Sequence, residues 1–272
     1  MGVGKTMAAI GAALGVGAAL GAMGGSSSSS GGSSGGGGVP PSGPEQQGYA
    51  RIRELGVLAG LAPAYRDFLV FCAYGESRGN NLVGLGIPAR YPPWTKTHAD
   101  WLAKGKPAPS TAQSNEAKAA RTGYNNNKAW LAGCWPEDFY TFGSGGWFGL
   151  LPSSGLAVFR NTALACQHPW SIFDPATSVI MAMGFIRRLR GWSQFKANPT
   201  MLALRVGWGA PSKMNDSAWL TERRQRYRTH ASALGLPVSF LDQVPPALPA
   251  FDPVALMGKL GGKVWLPGKD VA

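Results

Sequence analysis

The chain has 272 residues, with 26 Lys and Arg against 14 Asp and Glu and a formal net charge of +12. That length fits one main domain with appendages, and the charge suits a polyanionic partner such as cell wall, packaged DNA or phospholipid headgroups. Cys72, Cys134 and Cys166 make no C-x-x-C pair, and His98, His168 and His230 lack ligand spacing, so neither a metal nor a cofactor is expected.

The opening MGVGKT lacks the first glycine of a phosphate-binding loop and the strand before it, and is set aside. Residues 7–24 form an uncharged Gly/Ala run in which Gly11, Gly15, Gly17 and Gly21 include i, i+4 steps. Three readings stand: a secretory signal, a membrane-contacting helix, or a packing arm within an assembly. The run SSSSSGGSSGGGG at 26–38 reads as a flexible tether. The chain thus divides into an arm at 1–25, a Gly/Ser/Pro linker at 26–46, a main domain at 47–241 with an insertion at 81–142, and a Pro/Gly-rich tail at 242–272.

A helix is expected over PAYRDFLVFCAYGES, 63–77. Glu76 closes it, with Cys72, Leu69 and Phe68 at i−4, i−7 and i−8, which places the acid on the apolar face. It also lies in the last turn, where the helix dipole disfavours negative charge. Both placements favour a proton-carrying carboxyl, the form a general acid needs. The insertion that follows carries Tyr91, Trp94, Trp101, Tyr124, Trp130, Trp135, Phe139 and Tyr140. These aromatics suit either carbohydrate stacking or the core of a small subdomain. Helix is expected over 112–132, interrupted at Gly123 and the Asn125–Asn127 run.

Asp174 reads as the N-cap of a helix with Pro175 at its first position, and Asp216 or Ser217 as the cap before SAWLTERRQ. Arg187, Arg188 and Arg190, then Arg223, Arg224, Arg226 and Arg228, read as basic last turns or solvent faces of helices; DNA contact through them would be non-specific. Cys72 reads as a buried thiol. Cys134 and Cys166 are free to pair in an oxidising compartment, but nothing in the sequence brings them together. Any small sheet is expected from the insertion or from 143–151.

Four segments carry a resemblance: ESRGNN (76–81), GSGGWFGLLPSSGLAVF (143–159), DPATSVIMAMGFIRRL (174–189) and ALRVGWGAPS (203–212). In this order they resemble the soluble lytic transglycosylase family, against its G-L-M-Q-L-M-P, D-P-x-x-N-I and A-Y-N-A-G-P patterns. The resemblance implies a mainly α, goose-type lysozyme-like domain. It places the catalytic acid at Glu76, with Ser77 orienting it and Asn80, Gly146, Trp147, Phe148, Gly149 and Trp208 lining the glycan groove. The family's Gln falls on Gly149, its Tyr on Trp208 (a ring able to stack on a sugar) and its Asn on Gly209.

The acids Glu116, Glu137, Asp138 and Asp216 lie outside these boxes, and Asp174, which opens the third, reads as a helix cap. The lack of a second carboxylate fits the family's single-Glu mechanism. The activity implied is cleavage of the MurNAc–GlcNAc bond to a 1,6-anhydro product. The hydrophobic arm and tether make the chain similar to virion-associated members that act in the host periplasm during genome delivery. The implied partners are glycan strands, other virion proteins and, through residues 7–24, a membrane. The alternatives are a bacterial periplasmic or membrane-tethered remodelling enzyme, and an inactive lysozyme-like structural or DNA-ejection protein, which Gly149 and Gly209 favour.

Overall fold

A computed structural model describes residues 41–81, 111–137, 140 and 144–267. The arm at 1–25, most of the linker, and Tyr91, Trp94, Trp101, Asp138 and Phe139 of the insertion lie outside the described residues, as does the side chain of Glu116. The described chain is mainly helical, and its only β pairing is an isolated bridge between Gly145 and Leu150. That bridge falls within the segment where a small sheet was expected.

Helix α1, Gly43–Leu58, starts inside the expected linker. Glu45 in its first turn accepts from the Ser42 N–H at 2.7 Å, which satisfies a free amide at the helix end. Its buried stripe is Tyr49, Ile52 and Leu55. Helix α2, Pro63–Glu76, buries Tyr65 and every residue from Phe68 to Tyr74. A helix apolar all round belongs in the centre. Phe68 meets Trp208 edge-on, and Phe71 meets Tyr227 and Phe240.

Helix α3, Thr111–Leu131, runs without the interruption expected at Gly123 and the Asn run. A Cβ at Gly123 would stand 2.6 Å from Ser153 Oγ, so glycine is there for close approach to the short helix α4, Pro152–Gly155. Asn127 donates to the Gly123 carbonyl at 2.9 Å, which absorbs its amide within the helix. The chain after α3 is bound to the main domain by a Cys134–Cys166 disulfide, while Tyr124, Leu131 and Tyr140 sit in the common core. These described aromatics of the insertion are core residues.

Helix α5, Pro175–Arg190, is the second central helix. It is capped by Asp174, which accepts from Thr177 N–H at 2.9 Å, as the sequence implied. A short α6, Ser193–Ala197, leads to α7, Met201–Gly209, capped by Thr200 and buried through Trp208. Helix α8, Ser217–Ala233, is capped by Asp216 and buries only Leu220, Tyr227 and Ala231. The arginines of its other faces are spent mainly on surface contacts, such as Arg224 with Asp242 and Arg223 over Trp219.

The expected boundary at 241 does not hold. The tail continues the fold through α9, Pro253–Lys259, whose cap Asp252 accepts from Val254 and Ala255 N–H. Met257 and Leu260 join the core. Fully buried Gln167 takes both sides of the last segment, donating to Lys263 O at 2.6 Å and accepting from Trp265 N–H at 3.0 Å. No helix among the described residues is long and apolar enough to cross a membrane.

Candidate functional site

Glu76 ends α2 where the apolar helix meets the surface, and the chain turns sharply behind it. Arg78 takes a left-handed φ of 54° and folds back over α1, where its guanidinium meets Glu45 at 2.8 Å and lies 4.1 Å from the centre of the Tyr74 ring. Between burial, which opposes the charge, and the Glu45 and Tyr74 contacts, which favour it, the contacts win and hold Arg78 above its ordinary range. Glu45 is thereby committed to Arg78 and the α1 cap, and is no second acid for Glu76.

The residues after Glu76 fasten a distant loop in place. Ser77 Oγ donates to the Trp147 carbonyl at 2.9 Å, with the Ala73 carbonyl at 3.2 Å. Trp147 Nε1 donates to Gly79 O at 3.0 Å, and Trp147 N–H donates to Asn81 Oδ1 at 3.1 Å. Asn81 also donates to Phe173 O and accepts from Ser178 Oγ of α5 at 3.3 Å. The buttoned loop presents Gly149, at φ +57°, to Glu76: a Cβ there would lie 3.0 Å from Glu76 Oε2.

From the other side, Arg205 of α7 reaches Glu76 Oε1 with Nη2 at 2.6 Å. Its side chain is 7 % exposed, whereas that of Glu76 keeps 30 % of its surface open. Burial works against the Arg205 charge, but Tyr227 and Glu76 outweigh it and hold the guanidinium above its usual range. The Tyr227 ring lies 5.0 Å away. The expectation of an acid on the apolar face is therefore corrected: the Glu76 side chain is partly open to solvent and forms one half of an ion pair. The signal was present in the sequence, since a lone Arg in the apolar run MLALRVGWG cannot be buried without an anionic partner.

The expected groove residues divide. Of them, Ser77, Asn80 and Trp147 line one cleft of about 670 Å³ with Pro44, Glu45, Gly48, Arg78, Gly79 and Asn81. Ser77 is spent on the Trp147 carbonyl, so its expected role of orienting Glu76 directly is replaced by holding the loop that covers it. Gly146 packs against Ile172 O and Ser178 Oγ. Phe148 is 1 % exposed and Trp208 7 %. Trp208 Nε1 donates to Phe148 O at 2.8 Å, and its ring meets Phe68, Phe148 and Phe185 edge-on. The expected sugar-stacking face of Trp208 is occupied by core. Among the described residues no cluster of His, Cys, Asp and Glu has the makings of a metal site.

No protein-family model, curated protein or solved structure matches this chain.

Proposed function

We propose that the protein is a peptidoglycan lytic transglycosylase with Glu76 as its single catalytic acid and base. The observation that carries the reading is convergence. The four segments that resemble the family are far apart in sequence, yet they interlock around Glu76: Ser77 with Trp147, Asn81 with Ser178, Phe148 with Trp208, and Arg205 with Glu76 itself. A partly open carboxyl at the centre of such a junction, with no second unengaged acid beside it among the described residues, suits chemistry that needs only one.

In this reading the domain is lysozyme-like and its substrate is the glycan strand. Glu76 in its protonated form delivers the proton to the glycosidic oxygen as the bond to the muramic residue breaks. The resulting carboxylate then removes the proton from that residue's C6 hydroxyl as O6 bonds to C1, closing the 1,6-anhydro ring. The proton returns to Glu76 and no water is consumed. The disulfide supports work outside the reducing cytosol, in keeping with a virion protein acting in the host periplasm or with a bacterial periplasmic enzyme.

A second reading, a lysozyme-like structural protein of the virion without activity, is favoured by two observations. Arg205 already engages the Glu76 carboxylate, and the Phe148 and Trp208 rings are buried. Clearing of a peptidoglycan zymogram separates the two, and anhydromuropeptides by mass spectrometry identify the transglycosylase reaction.

A further inference from the structure

Arg205 belongs to none of the family positions named above, yet it makes the shortest polar contact to Glu76. Its route to the carboxylate is a slot in α2. A Cβ on Gly75 would lie 2.7 Å from Arg205 Nη2 and 3.6 Å from His230 Nδ1. Glycine inside a helix costs about 1 kcal/mol relative to alanine, so its presence beside Glu76 calls for a reason, and the passage of the guanidinium supplies one. We propose that Arg205, reaching through the Gly75 slot, is the positioning residue of the Glu76 site: it fixes the carboxyl under Gly149. The inference rests on the glycan-cleaving reading.

The groups that face the pair come from three elements. Helix α2 contributes the Cys72 thiol, which burial pushes up to about 12. Helix α8 contributes Tyr227 under Arg205, and His230 with Arg226 beyond it. The turn after α2 contributes Arg78, which faces His230. His230 Nδ1 and Arg205 Nε are both buried without a hydrogen-bond partner, so the Arg205 head has one strong anchor, the Glu76 carboxylate. Positive charge dominates this surround, and Arg205 is the cation in contact with Glu76.

The test compares wild type, E76Q, R205M, R205K and G75A in kcat and KM on purified peptidoglycan, with anhydromuropeptides as product. In R205M kcat drops about 100-fold through lost alignment, with KM nearly unchanged. R205K recovers part of the kcat loss. G75A, which keeps the charge and favours the helix, lowers kcat in the same direction as R205M, and carries the test if R205M does not fold. Wild-type kcat in R205M or G75A, alongside an inactive E76Q, overturns the role of Arg205 and leaves the glycan reading standing. Full activity in E76Q overturns that reading and this inference with it.

Discussion

Gly149 stands against Glu76 so closely that a β-carbon on it would come within 3.0 Å of Oε2 and 3.4 Å of the acid's own Cβ. Its φ of +57° adds a second reason for glycine, since an L side chain there costs about 1–2 kcal/mol. A Gln side chain at this position would meet both the strained backbone and the Glu76 carboxyl. Gly149→Gln is expected to lower the melting temperature by several degrees and to reduce glycan cleavage by displacing the carboxyl. Calorimetry and a turbidity assay check this, and a G149Q protein more active than wild type contradicts it.

Asn81 holds the junction through one amide: it serves Phe173 O, Trp147 N–H and Ser178 Oγ. Asn81→Ala leaves a part-buried Trp147 N–H without its acceptor, at a cost of about 2–3 kcal/mol. Urea unfolding is expected to show that loss. Hydrogen exchange at 145–150 is expected to accelerate more than in α5, because the loop loses its fastening while the helix keeps its core.

Much of the helical layout was legible in the sequence because the caps are local. Asp174–Pro175 and Asp216 start helices where they were read to start. The same Asp–Pro signal at Asp252–Pro253 was present in the tail and starts α9, yet the Pro and Gly content around it masked the helix. Gly123 misled for a tertiary reason, close packing against Ser153, that propensity does not contain. The lone Arg205 in an apolar run signalled a buried anionic partner, but which acid it meets is decided only by the packing of α7 and α8 on α2. The sugar-stacking role expected of Trp208 fails for a similar reason, since nothing in a local window tells a buried Trp from a groove Trp.

The Cys134–Cys166 disulfide closes a sequence separation of 32 residues, for which chain entropy gives about 3–4 kcal/mol. Reduction, or the Cys134→Ser, Cys166→Ser double variant, is expected to lower stability by that amount in denaturant titrations. Cys72 is buried, so intact native protein is expected to show no fast-reacting thiol and one thiol after unfolding without reductant.

His168 and His230 are each held down to about 4, in both cases first by burial; Arg205, Arg226 and Arg78 add to the effect at His230. The unfolded chain therefore binds protons at these residues from about pH 6.5 downward, before the folded one does. The stability they contribute is complete above that pH and is lost as pH falls from about 6.5 towards 4. Protonation of His168 also removes the acceptor of its cap bond from Trp170 N–H, 3.1 Å. The melting temperature is expected to fall between pH 7 and pH 5, where most carboxylates remain charged. A double His168→Gln, His230→Gln variant is expected to lose most of that slope, and an unchanged slope contradicts the assignment.

The central claim is that Glu76 performs acid–base chemistry on glycan strands. Mass spectrometry of the products released from purified peptidoglycan by equal amounts of wild type and Glu76→Gln tests it most directly. The account predicts 1,6-anhydromuropeptides from wild type and a loss of at least about 1000-fold in E76Q, as removal of a sole acid–base group implies. Anhydro products at the same rate from E76Q, or none from wild type, would contradict it.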